Sequence, residues 1–183
     1  MTKFYKKYFD YSTSTFFFIN NINLFFFKLW IKGPLGEKIL SLPNEFNFLI
    51  KKEKFYLISV LSKKKLPVLF SLIKNTIIGL TKSFKKKIRI KGLGFKVLKE
   101  NLSLVFFLGY SHFIKFKVPN LVTASILGNK SRIIELKSSN LVLLNQTCFL
   151  IQNLKKPGIY KHKGIYFTRK FPNLKAGKKK KFH

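Results

Sequence analysis

The chain has 183 residues, with 37 Lys and Arg against six Asp and Glu, and its net charge of +31 makes it self-repelling unless a counter-charge lies against it. Hydrophobic residues make up 46% of it, including 22 Phe, which excludes a disordered basic tail and supplies core for one domain or two small ones. A single cysteine, Cys148, and three scattered histidines, His112, His162 and His183, exclude a disulfide framework or a Cys/His metal site, so no metal or other cofactor is expected.

Residues Met1 to Thr15 contain Asp10 and no Arg, unlike an Arg-rich import presequence, and are set apart as an N-terminal extension. Two Phe-rich clusters follow, Phe16-Phe17-Phe18-Ile19 and Leu24-Phe25-Phe26-Phe27, interrupted by Asn20, Asn21, Asn23 and Lys28. A membrane-spanning helix needs about 20 apolar residues in a row. These runs fall short and read first as buried strands, with no membrane span; a membrane-adherent segment and a signal-like sequence are the other readings. The strand Leu24 to Ile31 leads into a turn at Gly33-Pro34-Leu35-Gly36, then Ile39 to Leu42, with shorter apolar runs at Phe46 to Ile50 and Phe55 to Leu61.

Leu66, Leu69, Phe70, Ile73, Ile77 and Leu80 recur at steps of three and four and predict an amphipathic helix, with Pro67 in its first turn. Ile88 and Ile90 then alternate with Arg89 and Lys91. Phe95 to Leu98 and Leu102 to Leu108 flank a polar turn at Lys99-Glu100-Asn101, a predicted hairpin. Ile114, Phe116 and Val118 alternate with Lys115 and Lys117, as in a half-buried strand. Val122 to Leu127 and Ile133 to Leu136 bracket a turn at Gly128-Asn129-Lys130. A second helix carries Leu141, Leu144, Cys148 and Ile151 on one face, with Ser138-Ser139 as its predicted N-cap and Lys155-Lys156-Pro157-Gly158 as its stop.

Each half thus reads as strands, one helix, then a short basic strand. The fold class is α+β: two similar small domains, each an antiparallel sheet packed on one helix, with a basic C-terminal tail. The boundaries are 1–15 for the extension, 16–84 and 85–171 for the domains, and 172–183 for the tail.

Nothing here supports catalysis. Glu100 and Glu135 have no local carboxylate partner, the few acids offer nothing to hold magnesium, and Gly92-Leu93-Gly94 is too short to specify a phosphate loop. The chain is therefore not expected to be an enzyme or to take a small-molecule substrate. From Lys155 to His183 there are eleven basic residues and no acid, ending in Lys178-Lys179-Lys180-Lys181 and interleaved with Tyr160 and Tyr166. Such a run of cations free of acids points to a polyanion, nucleic-acid backbone first and an anionic membrane surface as the rival.

Three stretches carry a resemblance: GLTKSFKKKIRIKGLGFK from Gly79 to Lys96, LSLVFFLGYSHFI from Leu102 to Ile114, and PGIYKHKGIYF from Pro157 to Phe167. In this order and spacing they resemble the universal large-subunit ribosomal protein six ("L-six") family. The matching motifs are Ile78-Gly79 through Phe84, Gly92-Leu93-Gly94-Phe95, Gly109-Tyr110-Ser111-His112 and Tyr160-Lys161-His162-Lys163-Gly164-Ile165. The likeness runs from about Leu66 to the C-terminus and extends more faintly to Ile31 through Glu37. His162 stands where the family has Gly, so either this turn needs no positive φ or His162 tolerates it under strain. Only Arg89, Arg132 and Arg169 are guanidiniums, so RNA contacts are expected to be mostly lysine point charges.

The resemblance implies a structural constituent of the large ribosomal subunit. It would bind large-subunit rRNA near the stalk base and the translation-factor site, beside neighbouring ribosomal proteins and in transient proximity to translation factors. The second domain and tail would make most of the contacts. The expected RNA-binding residues are Lys85, Lys86, Lys87, Gly92, Gly94, Lys155, Lys156, Tyr160, Lys161, His162, Lys163, Gly164, Tyr166, Arg169, Lys170, Lys175, Lys178, Lys179, Lys180 and Lys181. The plainer readings are that Lys85 to Lys87 blunt an exposed strand edge, that Gly92 and Gly94 are turn glycines, and that Cys148 packs in the core. Pro157 and Gly158 are expected to release an extended strand on which Lys161 and Lys163 alternate with Tyr160, His162 and Ile165. Abundant Lys, Phe, Ile and Asn, all with AT-rich codons, suggest an organelle genome, mitochondrial before plastid, and would equally follow from an AT-rich nucleus. The competing readings are a basic peripheral membrane protein, anchored by the Phe-rich segment and lysine clusters, and a free nucleic-acid chaperone.

Overall fold

A computed structural model of the chain describes residues 5–10, 15–21, 26–43, 46–51, 54–59, 64–128, 132–168, 173–175 and 177. Its fold is α+β, with every strand pair antiparallel, and the chain divides into two compact units. The first is Met1–Ser83 together with Ser139–Leu141; the second is Phe84–Ser138 and Val142–His183.

In the first unit, β1 (Tyr5–Asp10), β6 (Lys54–Ser59) and β5 (Phe46–Lys51) form one sheet in the order β1-β6-β5. β2 (Phe16–Asn21), β3 (Phe26–Gly33) and β4 (Gly36–Pro43) form another, in chain order. Phe16 to Ile19, Phe26 and Phe27 of the Phe-rich runs are therefore in strands, and Leu24 and Phe25 lie outside the described residues. β1 lies within the segment that the sequence sets apart as an extension, and it pairs with β6 along its whole length, from Tyr5↔Ser59 to Asp10↔Lys54. α1 (Leu66–Lys82) carries Pro67 in its first turn and buries Leu66, Ile73, Ile77 and Leu80 against Leu29, Ile31, Leu40, Leu42 and Leu57. Leu69 and Phe70, on the same predicted stripe, pack at its margin. The Gly33-Pro34-Leu35-Gly36 turn sits against the end of α1, where the Leu35 N–H donates to the Leu80 carbonyl at 3.0 Å.

The second unit holds β7 (Phe84–Lys91), β8 (Lys96–Glu100), β9 (Ser103–Phe107), β10 (Ile114–Lys117), β11 (Thr123–Leu127), β12 (Ile133–Ser138), all of α2 (Leu141–Leu154) but its first residue, and β13 (Gly164–Phe167). One sheet runs β11-β12-β7-β13 and the other β10-β9-β8. Both sheets share a core with α2, which contributes Leu144, Cys148 and Ile151, the predicted stripe, while Leu141 is only half-buried. Burial pushes the Cys148 thiol up to about 11, against the opposing charge of Lys86, so it packs as an inert hydrophobe.

Three local expectations shift. Ser138 ends β12 and its hydroxyl donates to the Leu121 carbonyl, so Asn140 stands just before α2. The β8–β9 turn falls at Asn101-Leu102, with Asn101 at φ 47°, because β8 continues through Glu100. The basic strand after α1 is β7, and it lies inside the second unit's sheet rather than closing the first. Asn129 and Lys130 of the predicted Gly128-Asn129-Lys130 turn lie outside the described residues.

Candidate nucleic-acid interface

β7 is an interior strand, paired with β12 over Phe84 to Arg89 and with β13 over Ile88 to Lys91. Lys85 to Lys87 pair in the ladder with β12 alone, β13 stopping opposite Ile88 and only the Thr168 N–H reaching the Lys87 carbonyl at 3.1 Å. The period-2 pleat splits the run. Lys85 and Lys87 are exposed on the face shared with Arg89 and Lys91, whereas Lys86 is half-buried on the core side, its Nζ 5.4 Å from the centre of the Phe167 ring. On the outer face Glu135 answers the lysines: its carboxylate lies 3.0 Å from Lys137 Nζ and 3.7 Å from Lys87 Nζ. The hydrogen bond from Lys137 holds the Glu135 carboxyl below the usual carboxylate range, opposed by burial and helped by the charges of Lys137, Lys87 and Lys85.

The turn after β7 accounts for both of its glycines. Gly94 has φ +70°, and a side chain at Gly92 would run into the Phe95 ring. Beyond β9, the exposed stretch Tyr110-Ser111-His112-Phe113 follows Gly109 at φ +71°. The Tyr110 hydroxyl donates to the Leu154 carbonyl at 3.0 Å, a partner for a carbonyl that the end of α2 leaves free, and Lys155 Nζ lies 3.9 Å above the Tyr110 ring. The sequence alone assigns Tyr110 no role; its only signal there is its place in the Gly-Tyr-Ser-His motif.

After α2 the chain does not run out as a strand. The Ile165 N–H donates to the Lys155 carbonyl at 2.9 Å and the Gly158 N–H to the Lys163 carbonyl at 3.0 Å, closing residues 155–165 into a pinned loop. Gly164 is buried at its base with φ +136°, and a Cβ there would lie 2.6 Å from Pro157 Cα. The predicted extended strand gives way because two local backbone bonds outcompete alternation. Ile159, Tyr160, Lys161, His162 and Lys163 are exposed around this loop, Tyr160 at 63%. His162 is not at positive φ, which decides between the two readings of that position.

Lys155 is half-buried and Lys156 exposed. Tyr166, opposite Arg89 in β13, is only 3% exposed, so its ring packs and offers no face to a base. Lys175 is exposed, and its N–H donates to the Ile159 carbonyl at 3.1 Å, bringing the trailing chain back to the loop. Arg169, Lys170, Lys178, Lys179, Lys180 and Lys181 lie outside the described residues. Among the described residues no cluster of His, Cys, Asp or Glu is arranged to hold a metal.

No protein-family model matches the chain. Curated relatives do. The chain is 32% identical over 152 residues to "Large ribosomal subunit protein uL6c" of Guillardia theta, covering 81% of this chain and 84% of that protein. It is 32% identical to "Large ribosomal subunit protein uL6" of Mycoplasma genitalium over 82% of this chain and 84% of the relative. With the Mycoplasma pneumoniae protein of the same name, identity is 33% over 86% and 89%. The chain belongs to the uL6 family. As a uL6 protein it is a structural constituent of the large ribosomal subunit, as the resemblance in its motifs implied.

Charge in this uL6 chain is unevenly shared. The second unit holds 23 of the 37 basic residues and only two of the six acids, Glu100 and Glu135, a net +21 out of +31. Its pinned loop, β7 lysines and basic end all belong to that unit. Among the described residues no helix is long and apolar enough to cross a membrane.

Proposed function

We propose that this uL6 protein holds large-subunit rRNA through its second unit. The contacting residues are Lys85 and Lys87 on the outer sheet face, Lys155, Lys156, Tyr160, Lys161, His162 and Lys163 around the pinned loop, and Lys175. The basic end, Arg169, Lys170 and Lys178 to Lys181, extends them. Residues 85–171 are the RNA-binding domain and 172–183 its tail. The carrying observation is the net +21 gathered in one unit around a loop that exposes Tyr160, Lys161, His162 and Lys163 together. Phosphate neutralisation by such a surface supplies affinity, and an exposed ring adds contact to unpaired bases.

The bound region lies near the stalk base and the translation-factor site, beside neighbouring ribosomal proteins. The ribosome is organellar and mitochondrial, a reading supported by the Lys-, Phe-, Ile- and Asn-rich composition. The test is fractionation of organelles. The chain should co-sediment with large-subunit particles, resist detergent and come off in high salt. Release by detergent into a fraction without rRNA would instead favour a membrane-bound protein.

A further inference from the structure

Beyond the residues just assigned to rRNA, the second unit presents a further pair of exposed aromatic rings, and their surroundings are specific. Tyr110 and Phe113 lie on the loop between β9 and β10, 46% and 57% exposed. The Tyr110 ring is fixed at its tip by the hydrogen bond to Leu154, and Lys155 Nζ sits 3.9 Å over the ring. Phe113 packs at a 41° tilt against Phe107, ring centres 6.2 Å apart, and Lys96 Nζ lies 5.0 Å from the Phe107 ring. Tyr110 is therefore held in place with a cation over its face, and Phe113 packs on a ring that carries one.

We infer that this loop is a stacking site for an unpaired nucleotide of RNA, with Tyr110 as the platform and Phe113 as a second ring. The inference rests on the rRNA reading above and deepens it. A ring already immobilised by a hydrogen bond loses little further freedom when a base lies on it. Lys155 attracts the phosphate that accompanies the base, and the ring face attracts the base itself; every base has such a face, but a duplex hides it. A lipid surface would have rings sink with their hydroxyl left in the headgroup layer, whereas the Tyr110 hydroxyl is tied back to the Leu154 carbonyl. An apolar protein surface would use the rings and leave Lys155 and Lys96 unanswered.

The experiment measures binding of the full-length chain to three probes across a salt series: isolated large-subunit rRNA, a single-stranded adenine oligonucleotide and a duplex of equal length. Wild type should prefer the single strand to the duplex. Tyr110→Leu should weaken binding to rRNA and to the single strand by about 10- to 100-fold, with the salt slope unchanged, because stacking releases no counterions. Tyr110→Phe keeps the ring and loses only the Leu154 bond, so it should give up a small part of the affinity, well short of the Tyr110→Leu loss. Phe113→Leu should reduce single-strand affinity by a smaller factor.

Full affinity in folded Tyr110→Leu would overturn the proposal, as would a Tyr110→Phe defect equal to that of Tyr110→Leu, which would make the hydroxyl a loop tether only. Unchanged RNA affinity with lost incorporation into large-subunit particles would give the loop to a protein neighbour and also overturn it. Wild type that ignores rRNA yet keeps a Tyr110-dependent preference for the single strand would sink the rRNA reading and leave the stacking site standing.

Discussion

Among the side chains of the second unit, Glu135 has a disproportionate role, because it is one of only two acids set against 23 bases. It lies on β12 beside Lys137 and directly opposite Lys87, at the centre of the outer basic face. Its folded-state pKa is depressed, so its ionisation stabilises the fold above the unfolded glutamate pKa of about 4.3 and the benefit is lost as pH falls from there through the lower folded value. Glu135→Gln removes that charge at every pH. The variant should therefore be less stable than wild type at neutral pH, with the gap closing as pH falls from about 4.3 through the lower folded value, beneath which the wild-type carboxyl is neutral too. Denaturant melts at neutral and acid pH read this directly, and a gap that does not change with pH would remove the ion pairs from the account.

The 155–165 loop is the element on which the interface depends, and Gly164 is the residue that lets it close. A Cβ there would meet backbone atoms of Lys156 and Pro157 at 2.6–2.8 Å, and the φ of +136° is one that side chains rarely adopt. Gly164→Ala should cost roughly 1–3 kcal/mol from the backbone conformation alone, plus the displacement of the Pro157 turn. Gly94→Ala is the comparison: it has positive φ and open space, so only the left-handed penalty of about 1–2 kcal/mol applies. Thermal melts that rank the two equally would show that the loop yields freely. The same elements show what a sequence discloses. Both helices were legible, because burial at steps of three and four writes itself into the residue types, as at Leu66, Ile73, Ile77 and Leu80. The strand hairpins were legible from alternation and from Gly-Pro turns. The pinned loop was not: Tyr160-Lys161-His162-Lys163 alternates like a strand, and the bonds that fold it back run between main-chain atoms, which carry no residue signature. Tyr166 is misleading for a related reason, since alternation puts it opposite the core while the structure buries both faces of β13. Tyr110 is silent in the sequence because its role comes from Leu154 and Lys155, more than 40 positions away.

At the scale of the whole molecule the question is whether +31 acts as a diffuse field or through placed cations. A diffuse field makes every lysine equivalent, because each changes the net charge by the same amount. Placed cations make the second unit special, because only lysines that displace counterions from phosphates enter the salt dependence. Replacing Lys161 and Lys163 with Ala should lower the slope of log affinity against log salt by about two, roughly one for each phosphate left without its lysine. Replacing Lys74 and Lys82, exposed on α1 in the first unit, removes the same charge and should leave the slope nearly unchanged. Filter binding of large-subunit rRNA across a salt series separates the cases. Equal reductions of slope in both double variants would mean that RNA responds to the total charge of the chain, and the pinned loop would then have no privileged place on it.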